Sequence, residues 1–124
     1  EVENLIPEAK EFNEKFIKYF GYPPDSYAEA AYSITLIVSQ ALEKSGEWPP
    51  NLDKIVDIIM KETFVTAKGP VKFDKARNVI QPLIIIKGKE PAKIIGEYDL
   101  FEIVKMFTID EAVKYIPPPS YYGY

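Results

Sequence analysis

The chain has 124 residues, of which 47% are apolar and 27% charged, and it carries a formal net charge of −4. This length suits one domain, and the acidic balance argues against nucleic-acid binding, which needs a basic surface. No uncharged apolar run approaches the roughly 18 residues that span a membrane. Cys and His are both absent, which excludes disulfides, thiolate nucleophiles and the commonest metal ligand. Abundant Glu and Lys are typical of a heat-adapted source.

A first helix is predicted over Glu8–Phe20. Pro7 precedes it and glutamates occupy its first turn, where a fixed φ and negative charge suit the positive end of a helix. Apolar residues then recur at three- and four-residue spacing and give the helix one apolar face. Gly21 is predicted to end it.

The second predicted helix, Tyr27–Lys44, is the most apolar segment, with Asp25 or Ser26 as its expected cap. A helix that is apolar nearly all round needs cover on several sides. We therefore predict that it flanks a sheet whose strands mostly lie outside this chain. The alternatives are a compact self-contained domain, or a dimer that buries Ile34, Ile37 and Leu42. Its polar residues form one narrow strip: Glu29, Ser33, Gln40 and Lys44.

A third helix is predicted over Leu52–Glu62, after an Asn51 cap. Short strands are predicted at 69–74, 82–87 and 91–96, the last two pairing as an antiparallel hairpin. The fold class is therefore α/β.

The C-terminal region is predicted to hold one or two helices. Asp99-x-x-Glu102 and Thr108-x-x-Glu111 both have the spacing of a capping box and precede apolar residues. The last residues, 117–124, read Pro-Pro-Pro-Ser-Tyr-Tyr-Gly-Tyr and are predicted to form a stiff aromatic tail.

No catalytic constellation is visible. Without His or Cys, an enzyme would depend on Glu, Lys, Tyr or Ser, and none of these occurs at a recognisable catalytic spacing. Lys68-Gly69-Pro70 lacks the further glycines and the following helix of a phosphate loop. We predict no enzyme, no cofactor and no metal site.

Tyr27 is the one side chain that stands out. It follows a Pro-Pro-Asp-Ser linker and begins the most apolar helix. An aromatic residue on a first helical turn can face a cleft and pack on an apolar ligand. Core packing and a plain surface contact are the alternatives on position alone.

Several segments together resemble one protein family. Residues 18–24 (KYFGYPP), 26–32 (SYAEAAY) and 69–74 (GPVKFD) are followed by the run 81–87 and a Gly88-Lys89 turn. In this order they resemble type I periplasmic binding proteins, the leucine/isoleucine/valine-binding class of receptors for ABC importers. The resemblance covers residues 5 to about 96. The turn after Phe73-Asp74 departs from the family's acidic or Gly-containing pattern.

The resemblance implies part of a fold with two α/β lobes that close on a small solute. Residues 1–80 would belong to the first lobe and residues 81–97 would form a hairpin of the second. Residues 98–124 would add a helical extension and the Pro/Tyr tail. By the same analogy Tyr27 lines the solute pocket, with Ser26 and Glu29 as weaker candidates.

The function implied is that of a solute-binding component of an ABC importer, with this chain as its C-terminal fragment. Its partners would be an amino acid, by default, and a membrane permease. Its location would be extracytoplasmic, periplasmic or at the cell surface, with anchoring through the missing N-terminal part. A self-associating α/β interaction module without a small-molecule ligand is the alternative.

Overall fold

The structure is a computed structural model that describes residues 6–115 and Pro117. The predicted α/β class is confirmed, and the three long helices end within one residue of their predicted ends. Of the predicted Pro/Tyr tail, 117–124, the part after Pro117 lies outside the described residues. The elements in chain order are α1 (Pro7–Phe20), α2 (Ser26–Ser45), α3 (Leu52–Lys61), β1 (Phe64–Thr66), β2 (Gly69–Phe73), β3 (Val79–Ile80), β4 (Leu83–Gly88), β5 (Phe101–Phe107) and α4 (Ile109–Ala112).

Local capping sets the ends of the first two helices. Gly21, at φ 80°, ends α1 in the left-handed conformation that favours glycine, and its N–H donates to the Ile17 carbonyl at 2.8 Å. The Asp25 carboxylate caps α2 by accepting the Ala28 N–H at 2.8 Å. The start of α2 is therefore held in place by its own sequence.

Helix α2 packs through a narrow, partly polar side. Ser33, Ile37, Ala41 and Ser45 are its buried residues. On the other side Ile34 is 61% exposed and Val38 is 41% exposed. The described residues thus leave open the apolar face that the sequence predicts to lie against further β-structure.

The core lies between α2, α3 and a three-stranded antiparallel sheet of order β1-β2-β3. Phe64 on β1 pairs with Val71 on β2, and both side chains are almost fully buried. The predicted strand at 69–74 is confirmed as β2, whereas β1 was not predicted. The core cluster consists of Ile37, Ala41, Ile55, Phe64 and Val71.

The predicted strand at 91–96 is wrong. Pro91–Lys93 form a 3₁₀ turn in which the Lys93 N–H donates to the Glu90 carbonyl at 2.8 Å, and Ile95 is 92% exposed. Pro91 lacks the N–H that a strand ladder needs. The predicted strand at 82–87 is confirmed as β4, but its partner is β5, with a register shift between Ile85 and Ile86.

The predicted helix after Asp99 is also wrong, because residues 101–107 form β5. The Asp99 carboxylate bonds to the Lys89 ammonium and to the Ile95 N–H instead of capping a helix. The segment that follows, Phe-Glu-Ile-Val-Lys-Met-Phe, is rich in the aromatic and β-branched residues that strands favour. The predicted extension over 98–124 is therefore not wholly helical.

The last predicted cap is confirmed. The Thr108 hydroxyl accepts the Glu111 N–H, while the Glu111 carboxylate accepts the Thr108 N–H at 2.8 Å. This reciprocal capping box begins α4, which runs over Ile109–Ala112 and continues as a 3₁₀ turn.

Candidate functional site

A cavity of about 730 Å³ lies where the first turns of α1 and α2 meet the β1–β2 turn and the β4–β5 ribbon. Its polar lining includes Asp25, Ser26 and Glu29 from the start of α2. Lys68 from the β1–β2 turn and Gln81 from the segment before β4 face them. The cavity therefore joins the helical layer of the fold to its C-terminal ribbon.

The helical spacing of α2 decides which of its first residues line the cavity. Ser26 and Glu29 are three residues apart and share one face, and both contribute to the lining. Tyr27 is offset from Ser26 by about 100° around the helix and is 83% exposed. It belongs to the same outward side as Ile34.

Glu29 is held from two directions. One carboxylate oxygen accepts the Ser33 hydroxyl at 2.6 Å, and the other lies 3.0 Å from the Lys68 ammonium. The Glu29 side chain is 18% exposed and that of Lys68 is 32% exposed, while Ser33 is buried. An opposite-charge pair this shielded is screened by solvent less than a surface pair.

The β1–β2 turn holds Lys68 rigidly. Thr66 pairs with Gly69, so that only Ala67 and Lys68 form the loop of the hairpin. The buried Thr66 hydroxyl donates to the Gly69 carbonyl at 3.1 Å and accepts the Lys68 N–H at 3.1 Å. Gly69, at φ 79°, takes a conformation that other residues rarely adopt. The backbone from which the ammonium extends is therefore fixed.

The remaining walls of the cavity are largely apolar. Ile84, Ile86 and Phe101 contribute from the β4–β5 ribbon, and Ile6 and Ala9 contribute from the start of α1. A charged pair and the further carboxylate of Asp25 beside apolar walls form an arrangement suited to a small ligand with a charged end and an apolar end.

A second, smaller groove of about 250 Å³ lies between α2 and the sheet. Ile34 and Ile37 line it from the helix, and Val71, Phe73 and Val79 line it from the strands. This groove continues the exposed apolar face of α2.

Two solved structures resemble this chain in fold. No family model matches the chain. An amino acid ABC transporter substrate-binding protein from Pseudomonas fluorescens Pf-5 matches 93% of this chain with a TM-score of 0.76 and 17% identity. An ABC-type branched-chain amino acid transporter protein from Rhodopseudomonas palustris CGA009 matches 82% with a TM-score of 0.67 and 23% identity. The chain has part of the fold of an ABC transporter substrate-binding protein.

The match covers a minor part of each of those proteins. This chain corresponds to 29% of the Pseudomonas chain and 27% of the Rhodopseudomonas chain. The predicted resemblance in fold is thus confirmed, and most of the substrate-binding-protein fold has no counterpart among these 124 residues.

The structure brings two of the three predicted site residues into one cavity. Ser26 and Glu29 line it, whereas Tyr27 is not among its lining residues. The role of all three in ligand binding stays a prediction. The sequence analysis did not identify Lys68 and Phe101 as residues of this cavity. The Thr-Ala-Lys-Gly run is consistent with a two-residue hairpin turn, and this signal could have indicated a lysine on a fixed backbone.

Residues 6–115 and Pro117 contain neither a membrane-spanning helix nor a carboxylate cluster suited to a metal ion. No helix there combines the length and apolar character needed to cross a bilayer. Within the same residues, no three Asp or Glu side chains gather closely enough to hold a metal ion.

Proposed function

We propose that this chain belongs to the solute-binding component of an ABC importer and supplies its C-terminal part. The observation that carries the proposal is the cavity between the α2 start and the β4–β5 ribbon, in a chain with this fold. Residues 1–80 would form part of the first lobe. The second-lobe part would begin near residue 81 and extend through β5, because β5 is the partner of β4.

Closure between two lobes is the mechanism that we propose. The connection from β3 to β4 consists of Gln81 and Pro82 alone, and both line the cavity. A rotation at this connection would bring the ribbon towards Ser26 and Glu29 and shield the bound solute. A ligand that contacts both sides would stabilise the closed state by its preference for it.

An amino acid is the solute that we propose. The cavity provides the carboxylates of Asp25 and Glu29, the ammonium of Lys68 and apolar walls, which together suit a zwitterion with an apolar side chain. Tyr27 would contact the solute only at the rim, from the outward side of α2. The proposed partner is a membrane permease, the proposed location is extracytoplasmic, and the proposed role is binding without catalysis.

Calorimetry of the complete protein that carries this chain tests the proposal. We expect heat of binding with at least one aliphatic L-amino acid. Glu29→Gln should bind that amino acid about tenfold more weakly, because one charge-assisted bond of the Glu29 carboxylate is lost. Glu14→Gln is the matched control, since Glu14 lies on α1 with a 68% exposed side chain. Absence of heat with every amino acid, sugar and peptide tried would refute the proposal.

Self-association is the second candidate, favoured by the exposed apolar side of α2. Ile34 is available for such an interface, whereas Ile37 is only 7% exposed and is already buried within the chain. The predicted interface of Ile34, Ile37 and Leu42 is therefore corrected, because Leu42 also packs against the core and Ile34 is the one exposed residue of the three. Light scattering of the 124-residue chain tests this candidate, and a monodisperse monomer at every concentration would exclude it.

A further inference from the structure

We propose that the Lys68 ammonium binds the carboxylate of the solute and that Glu29 positions it for this role. The inference rests on the proposed function for the identity of the solute, and on the structure for the site. Three observations support it: the fixed turn that carries Lys68, the donors of its ammonium that the described residues do not use, and the apolar walls of the same cavity.

The first observation is that the backbone of Lys68 has little freedom. Its N–H donates to the buried Thr66 hydroxyl at 3.1 Å, and the neighbouring Ala67 is 3% exposed. A side chain that extends from a fixed backbone loses less entropy on binding than one on a mobile loop. Lys68 is thus preorganised to contact a ligand at one place on the wall of the cavity.

The second observation concerns the capacity of the ammonium. Among the described residues, Lys68 contacts one carboxylate, that of Glu29, at 3.0 Å. An ammonium has three N–H donors, so that one ion pair leaves donors for a further acceptor. Glu29 is itself fixed by the Ser33 hydroxyl at 2.6 Å, and it therefore keeps the ammonium at the wall of the cavity.

The third observation is the distribution of charge and apolar surface. Among the described residues that line the cavity, Lys68 is the one cationic side chain, beside the carboxylates of Asp25 and Glu29. Ile84, Ile86 and Phe101 lie on the ribbon side. A solute with an anionic end and an apolar end would place its carboxylate at Lys68 and its apolar part against the ribbon. The class of ligand is thus a small carboxylate with an apolar group.

Paired probes test the role of Lys68 in the complete protein. L-leucine and L-leucinamide differ at the carboxylate, and calorimetry compares their affinities for the wild type, Lys68→Met and Lys68→Arg. We expect Lys68→Met to weaken leucine binding about 10- to 100-fold, the range for one bond to a charged group, and to change leucinamide binding little. Lys68→Arg should keep most of the affinity, and Lys75→Met, at an exposed lysine beyond β2, is the matched control.

A second readout separates this inference from the proposed function. The ¹³Cε signal of Lys68 is followed by NMR during titration with acetate, a minimal carboxylate, and with neutral acetamide. Movement with acetate alone would support the inference even if no amino acid binds, in which case the proposed function fails by itself. No movement in a protein that also binds no amino acid would overturn both.

Equal leucine affinity in the wild type and Lys68→Met would overturn the inference and leave the proposed function standing. Equal losses for leucine and leucinamide would also overturn it, because such a result indicates that Lys68 supports the structure and not the carboxylate.

Discussion

Replacing Ile34 or Ile37 by Ala compares two residues of the same type on one helix, because Ile34 is 61% exposed and Ile37 is 7% exposed. For Ile37→Ala we expect a loss of about 2–5 kcal/mol in unfolding free energy, as for other buried Ile. Full burial of an Ile side chain contributes about 1.5–3 kcal/mol. If the complete protein covers the exposed 61% of Ile34, Ile34→Ala should lower the unfolding free energy there by about 1–2 kcal/mol more than in the isolated chain.

Without that cover, the same substitution should cost very little. Exposed substitutions usually change stability by less than about 0.5 kcal/mol, and Ala has the higher helix propensity. Urea unfolding of both variants, in the 124-residue chain and in the complete protein, measures the difference. The reasoning is refuted if Ile34→Ala is as harmless in the complete protein as in the isolated chain. A concentration-dependent loss in the isolated chain would instead support self-association.

Three further predictions concern the packing, the β1–β2 turn and the ribbon. Phe64→Ala should lower the unfolding free energy by about 3–5 kcal/mol because Phe64 is fully buried; a urea midpoint equal to that of the wild type would contradict its place in the core. Gly69→Ala should lower the unfolding free energy by about 1–2 kcal/mol, since Gly69 has φ 79°. Gly88→Ala, at a position with open space around it, should lower it clearly less in the same assay. A hydrogen bond from Lys89, and then one from the Ile95 N–H, lower the pKa of Asp99 below its ordinary value of 3.8. Its contribution to stability is thus present above pH 3.8 and lost as pH falls through the lower folded pKa. Lys89→Met should raise that pKa in an NMR titration, and an unchanged value would show that the bond does not form.

The helices were predictable because their signals are local. Asp25 and Asn51 accept N–H groups from residues two or three positions ahead, and Gly21 and Gly46 end helices at positive φ. Each of these contacts is determined by a few neighbouring residues, so the sequence alone indicates them.

The C-terminal ribbon was not predictable from the same kind of signal. Asp99-x-x-Glu102 has the spacing of a helix cap. The apolar positions from Phe101 to Phe107 fit both the period of a helix and the alternation of a strand. Pairing with β4 and the bond from Lys89 to Asp99 favour the strand over the helix. Such contacts depend on residues separated by a loop, which a local pattern does not contain.

The candidate site was predicted in part. Ser26 and Glu29 follow from the position of one helix start, whereas Lys68 reaches Glu29 only after the β1–β2 hairpin has packed against α2. Tyr27 was singled out for its type and place in the sequence. Burial of Ser33, Ile37 and Ala41 sets the rotation of α2 against the core, and this rotation turns Tyr27 away from the cavity.

Helix α2 has a narrow side that is buried within this chain and an apolar side that is exposed. If a second layer packs on the exposed side, the helix becomes the shared wall of two cores. Unfolding of either core would then expose the apolar surface of the other, and the two layers should unfold together in a single cooperative transition. A protein built in this way resists partial unfolding, and a ligand bound at the foot of α2 would protect both layers from proteolysis at once.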